Sequence, residues 1–269
     1  RRTDEAIARG VFGVPTAIVS TPRGELLFWG QDRLEQVEAV LAGWHPADRQ
    51  PPARSAPSAA PGSGAVIEFW FDYSSPWSYL ASRRIEEVAA RAGAELVWRP
   101  MLLGGVFKQI GQATVPLFSM PQAKQRWVAS DLGLWTAWWG VPFRWASHFP
   151  QRTITPLRLA ILAGDRIAEL SHALFRAMWV DDQNLEDEAT LAAALESVGL
   201  DAADLLARTQ EPAVKQALID STNAAVAAGV FGAPSFVVRR GGAAPRLFFG
   251  QDRLDQVERA ARGDVVPSS

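Results

Sequence analysis

Phe69-Trp70-Phe71-Asp72-Tyr73-Ser74-Ser75-Pro76-Trp77-Ser78-Tyr79-Leu80-Ala81 is the stretch from which the fold is read. Val66 to Tyr73 is rich in β-branched and aromatic residues and predicts a strand. Ser74-Ser75-Pro76 then turns the chain, and a helix is predicted from Trp77 to Ala92, with Ser75 as N-cap and Pro76 at the first helical position. The first N–H groups of such a helix lack intrahelical partners and carry partial positive charge, which suits an anion such as a thiolate. Ser75-Pro76-Trp77-Ser78 also has the frame of a Cys-x-x-Cys redox motif with both sulfurs replaced by oxygen.

The composition bounds what such a motif can do. There is no Cys in the 269 residues, so thiol chemistry by the protein itself, disulfides and Cys-based metal sites are ruled out. The three His (His45, His148 and His172) are not at ligand spacing, and no metal site is expected. A net charge of −2 argues against a nucleic-acid partner. No apolar run approaches the roughly 18 residues of a membrane span. The chain opens with Arg1-Arg2-Thr3-Asp4 and no apolar segment follows, so no secretory leader is read in it and a cytoplasmic location is expected. It also opens without Met, so a piece of a longer protein stays open.

Outward from the opening stretch, the chain contains a repeat. Gly10-Val11-Phe12-Gly13-Val14-Pro15-Thr16 returns as Gly229-Val230-Phe231-Gly232-Ala233-Pro234-Ser235, and Leu27-Phe28-Trp29-Gly30-Gln31-Asp32-Arg33-Leu34 as Leu247-Phe248-Phe249-Gly250-Gln251-Asp252-Arg253-Leu254. The spacing is not that of a solenoid. Residues 1–44 read as the C-terminal fragment of a first copy of a domain whose complete copy covers 65–263. Alone, 44 residues bury too little to be stable, so the fragment is expected either as the tail of a truncated tandem or docked on a neighbouring copy. Residues 45–64, rich in Pro, Ala, Ser and Gly, have the composition of a mobile, partly extended linker.

Within the complete copy, strand, helix and strand (Glu95 to Met101) precede a helical block at about 110–220. Two strands, Ser235 to Arg239 and Arg246 to Phe249, and a helix opening at Asp252 close it. A parallel βαβ start and an antiparallel ββα finish give an α/β, thioredoxin-like fold with a large all-helical insertion.

Four motifs in order carry a family resemblance: Phe71 to Leu80, Arg99 to Lys108, Gly229 to Pro234, and Gly250-Gln251-Asp252-Arg253. Together they resemble the 2-hydroxychromene-2-carboxylate isomerases and kappa-class glutathione transferases, in the DsbA-like branch of the thioredoxin fold. The resemblance implies glutathione as cofactor and Ser75 as the residue that hydrogen-bonds its sulfur, with Ser78 holding the place of the second redox Cys. It implies that Pro234 is a cis-proline facing Ser75 and that Ala233 pairs with the extended peptide like an added strand. Gln251 and Asp252 would take its γ-glutamyl end at a helix start. Lys108 and Gln112 would lie beside it, Gln112 standing where the family carries Asn.

For the second substrate, a small aromatic keto acid, Arg144 and Arg152 are the candidate carboxylate clamps. They flank a loop whose Phe149-Pro150-Gln151-Arg152-Thr153 departs from the family's Pro-x-Asn-Thr. Trp145 is a candidate for an aromatic pocket; helical spacing assigns Trp135, Trp138 and Trp139 to packing. The implied activity is glutathione-dependent cis-trans isomerisation in aromatic catabolism. A kappa-like transferase and a non-catalytic peptide-binding module are the alternatives. The oligomeric state stays open, a homodimer among the options.

Overall fold

The computed structural model of the chain describes residues 1–48, 51 and 62–264. In chain order, helix α1 (Arg2–Ala8) leads into strands β1 (Thr16–Thr21) and β2 (Gly24–Trp29) and helix α2 (Leu34–Leu41). Strand β3 (Ala65–Phe71) is followed by helices α3 (Pro76–Ser82) and α4 (Ile85–Ala92) and strand β4 (Glu95–Pro100). Seven helices come next: α5 (Leu103–Gln109), α6 (Pro116–Ser119), α7 (Gln122–Trp139), α8 (Ile154–Leu162), α9 (Ile167–Trp179), α10 (Glu188–Ser197) and α11 (Ala202–Arg208). Helix α12 (Pro212–Ala227), strands β5 (Ser235–Arg240) and β6 (Arg246–Phe249) and helix α13 (Leu254–Arg262) complete the chain. None of the helices in the described residues is long and apolar enough to cross a membrane.

The chain forms two compact units. One comprises the described parts of Arg1–Ser55 and Pro116–Pro142; the other comprises those of Ala56–Val115 and Phe143–Ser269. The expected boundaries thus divide differently in space: α7, read as part of the insertion in the complete copy, packs with the N-terminal fragment of its own chain. Most of the expected linker over 45–64 lies outside the described residues, and a 3-10 turn at Pro46–Asp48 occupies its start.

In the larger unit the sheet order is β4-β3-β5-β6. β3 runs parallel to β4 and antiparallel to β5, and β6 runs antiparallel to β5. Alternate residues of a strand face opposite sides, and both sides of β3 are apolar. Phe69 stacks on Phe71 at 5.3 Å and on Phe236 of β5 at 5.5 Å, with Trp98 of β4 edge-on at 5.0 Å. On the opposite side Trp70 packs with Met101, Val106, Ala225 and Val237. Burial on both faces explains why β3 reads as a continuous apolar run rather than an alternating one. Glu68 is the exception in that run; it bridges the neighbouring strands through Arg99 at 3.1 Å and Arg239 at 3.2 Å.

The helix expected from Trp77 to Ala92 is two helices. The Ser82 hydroxyl donates to the Tyr79 carbonyl at 2.7 Å. The next turn tightens, with Arg83 N–H on Leu80 O and Arg84 N–H on Ala81 O. A hydroxyl that competes for a helical carbonyl bends or ends a helix in this way. Strand β3 also stops at Phe71 rather than Tyr73, because the Asp72 carbonyl accepts the Ser75 N–H in a turn.

Candidate active site

Ser75 sits where β3 hands the chain to α3. Its backbone is extended (φ −96°, ψ 112°), and its side-chain oxygen accepts the Ser78 N–H at 3.1 Å, as an N-cap does. The same hydroxyl donates to the Ala233 carbonyl at 3.1 Å. Ser75 is only 4% exposed and Ser78 is fully enclosed, its hydroxyl without a hydrogen-bond partner. The two oxygens that replace the sulfurs of a redox motif thus differ in role. One caps the helix and reaches the opposite loop; the other is an orphaned polar atom beneath the turn.

The opposite loop is built by the second half of the repeat. The Ala233–Pro234 peptide is cis. The Pro234 carbonyl accepts the Gly250 N–H at 3.0 Å, which ties this loop to the turn carrying Gln251 and Asp252. That turn is a 3-10 segment, Gln251–Arg253, ahead of α13, and α3 packs against it. Gly250 has φ +100°, and a Cβ there would collide with the Asp252 carboxylate; only glycine lets that carboxylate fold back over the turn. Ser75, Ala233, Pro234, Gln251 and Asp252, separated widely in sequence, are therefore brought to one end of the sheet. Gln251 is buried, so its side chain belongs to the floor of the turn, whereas Asp252 is half-exposed.

Asp72 is the residue that sequence reasoning missed. It is 1% exposed. One carboxylate oxygen accepts the Ser74 N–H and hydroxyl, each at 3.0 Å, and the Thr153 hydroxyl at 2.6 Å; the other accepts the Leu103 N–H at 2.8 Å. Burial pushes its pKa up, and these four donors, Thr153 first among them, pull against that shift. Asp72 thereby pins the Ser75 turn to the start of α5 and to the residue before α8. Its signal in the sequence was an acid at the end of an otherwise apolar strand, a position that costs free energy unless fully hydrogen-bonded.

Lys108 and Gln112 are exposed at and beyond the end of α5. Arg144 is 66% exposed and pairs with Asp182 at 3.0 Å. Arg152 is exposed and lines a cleft of about 680 Å³ with Glu186, Leu206 and Gln210, among α8, α10 and α11. Trp135 and Trp138 are buried in the smaller unit. Trp145 belongs to an aromatic group beside the Ser75 turn. Trp179 donates its Nε1–H to the Tyr73 carbonyl at 2.9 Å, Phe143 stacks on Trp179 at 5.8 Å, and Trp145 lies edge-on to Phe143 at 6.2 Å.

A hydroxyl at a strand-to-helix turn facing a cis-proline loop is the geometry on which comparison with known proteins turns. Residues 66–262 match the DSBA-like thioredoxin domain. The chain belongs to this family. Among its relatives, the 2-hydroxychromene-2-carboxylate isomerase of Sphingobium xenophagum is 28% identical over 72% of this chain and 96% of its own length. Glutathione S-transferase kappa 2 of Caenorhabditis elegans is 26% identical over 71% of this chain and 89% of its own. A solved structure of a 2-hydroxychromene-2-carboxylate isomerase superposes with a TM-score of 0.64 at 24% identity, over 72% of this chain and 93% of that one. The family match over 66–262 covers most of the larger unit and also takes in α6 and α7 of the smaller one.

The buried Ser75 hydroxyl, the cis Ala233–Pro234 peptide and the half-exposed Asp252 carboxylate share this end of the sheet.

Proposed function

We propose that this chain is a glutathione-dependent isomerase of the 2-hydroxychromene-2-carboxylate type, acting on an aromatic keto acid. The observation that carries this reading is Ser75: a buried hydroxyl at the cap of α3, aimed across at the cis-proline loop, in a chain with no Cys. When bound, glutathione supplies a nucleophilic thiol for reversible addition to a conjugated double bond. The chain's own residues do the rest. Ser75 turns its O–H from the Ala233 carbonyl to the arriving sulfur and holds it as the anion. Ala233 and Pro234 take the peptide backbone, Gln251 and Asp252 the γ-glutamyl end, and Lys108 and Gln112 the flank. The Phe143, Trp145 and Trp179 group offers an apolar wall for an aromatic substrate and excludes water beside the sulfur.

A second reading, a kappa-like glutathione transferase, is favoured by the arginines. Arg144 is paired with Asp182, and Arg152 lines a cleft together with Glu186 and Glu188, so each already faces acidic neighbours rather than an open carboxylate site. Calorimetric titration of the full chain with glutathione tests both readings at once: absence of binding at millimolar concentrations refutes them together. Mass detection of a stable conjugate with an aromatic electrophile selects the transferase, and turnover without a conjugate selects the isomerase. Peptide binding that survives Ser75→Ala, without turnover on any electrophile, would favour the non-catalytic module.

A further inference from the structure

The sheet of the larger unit ends on β4. Among the described residues β4 pairs with β3 alone, so one side of its backbone has no strand partner. Alternate residues of a strand turn their N–H and C=O groups to opposite sides. The Met101 N–H donates to the Phe71 carbonyl at 3.0 Å, which directs Val97, Arg99 and Met101 towards β3 and Leu96, Trp98 and Pro100 outwards. The Pro100 carbonyl agrees with this phase, because it accepts the Ser221 hydroxyl of α12 at 2.6 Å. Ser221 closes that end of the edge. Leu96 and Trp98 carry the outward N–H and C=O groups along the rest.

Proteins usually blunt such an edge with a Lys, a bulge or a covering element. Here the helices flank the edge and leave a groove along it. Ala89 and Ala90 of α4, Ala160 of α8, Ala168 of α9 and Ala217 of α12 line, with the whole of β4, a space of about 850 Å³. Methyl side chains from four helices give that space its width. Its charge is acidic: Glu86, Glu95 and Asp165 line it, and Arg99, its one cation among the described residues, is engaged by Glu68 at 3.1 Å. Glu86 is bound to His172 at 3.1 Å. Glu95 and Asp165 are exposed and have no ion pair among the described residues.

We infer that this groove receives an extended peptide that adds to β4 as a fifth strand, with small side chains towards the alanines and Lys or Arg towards Glu95 and Asp165. The outward groups of Leu96 and Trp98 supply the pairing, the alanines set the size of the side chains, and the two carboxylates set the sign of their charge. None of the groove's residues belongs to the Ser75 site, so this is a second binding function, separate from the proposed isomerisation.

The test is fluorescence anisotropy of the full chain with fluorescein-labelled Lys-Ala-Val-Ala-Val-Ala-Lys. Saturable one-to-one binding is expected. N-methylation of one alternate set of the peptide's amides should abolish it, and N-methylation of the other set, which faces away from β4, should leave it nearly unchanged. Glu95→Lys with Asp165→Lys should weaken binding by about tenfold or more, and this variant should bind Glu-Ala-Val-Ala-Val-Ala-Glu more tightly than the lysine peptide. Ala90→Trp, at an exposed position on the wall, should block the groove. All three positions are exposed, so folding is retained and checked by circular dichroism. Absence of saturable binding overturns the proposal, as do equal effects of the two methylated sets or indifference to the charge exchange. Self-association of the chain in sedimentation that Ala90→Trp abolishes overturns it too, because a second copy then fills the edge.

Discussion

The Ser75 hydroxyl donates to the Ala233 carbonyl at 3.1 Å, joining two loops 158 residues apart in the chain. The same oxygen accepts from the Ser78 N–H. Ser75 is thus a helix cap, a clamp between loops and, in the proposed function, the host of a thiolate.

These roles separate in mutants. Ser75→Ala removes the cap, which costs about 1 kcal/mol. Loss of a hydrogen-bond donor to a developing charge lowers kcat/KM by about 100-fold or more. Ser75→Ala should therefore lower the melting temperature slightly and glutathione-dependent turnover greatly. Equal small losses in both would leave Ser75 as a cap alone.

Asp72→Asn keeps the shape and breaks the pattern. An amide can offer one acceptor oxygen to Ser74 and Thr153, but its NH₂ then opposes the Leu103 N–H. An unsatisfied buried donor costs about 1–3 kcal/mol, and urea titration should show that loss.

The acidity of Asp72 predicts a pH dependence of definite sign. Burial raises its pKa in the folded state, so the folded protein holds the proton more tightly than the unfolded chain. Its contribution is full below about pH 3.9, the unfolded value, and is lost as pH rises through the folded one. Comparing wild type with Asp72→Asn over that window isolates the term: the wild type alone should lose stability from this source as pH rises.

Gly232→Ala places a Cβ 2.5 Å from the Phe249 ring. Overpacking of this kind costs about 1–3 kcal/mol. Adding Phe249→Ala should recover part of the loss, a coupling that thermal unfolding of the double-mutant cycle measures.

Arg33 and Asp131 form a buried pair, 5% and 4% exposed. Removing Arg33 strands the buried Asp131, at a cost of about 3–5 kcal/mol, whereas removing Asp131 leaves Arg33 its pair with Asp32 at 3.0 Å and costs less; replacing both members of the buried pair by apolar residues is close to neutral. Hydrogen exchange over 16–29 and 122–139 should accelerate in Asp131→Ala and return towards wild type in Arg33→Met with Asp131→Leu.

Much of this was legible in the sequence. The strands of the larger unit, the capping by Ser75 and the equivalence of the Pro15 and Pro234 loops follow from residue type and spacing, which are local. The relation of Ser75 to Ala233, and of both to Gln251, came only with the family resemblance, since no local pattern reports a contact across the chain. The break after Ser82 depends on which carbonyl a hydroxyl selects. The role of Asp72 depends on donors from Leu103 and Thr153, and the partner of the N-terminal fragment depends on Asp131. Each is a long-range pairing of polar groups, invisible to periodicity. Arg144 and Arg152 show the converse: their positions beside an aromatic loop were evident, but the acidic neighbours that hold Arg144, or surround Arg152 in its cleft, were not.

The pairing of β3 with β5 sets an order of events. Glu68 meets Arg239, 171 residues later, whereas it meets Arg99 of β4 after only 31 residues. On a ribosome, β3 and β4 emerge early with one side of β3 bare. The central strand of the sheet must wait for the last segment of the domain, β5 to α13, to leave the exit tunnel. The Ser75–Ala233 clamp is thus among the last contacts to form, and the candidate site comes into being only when synthesis of its domain is nearly complete.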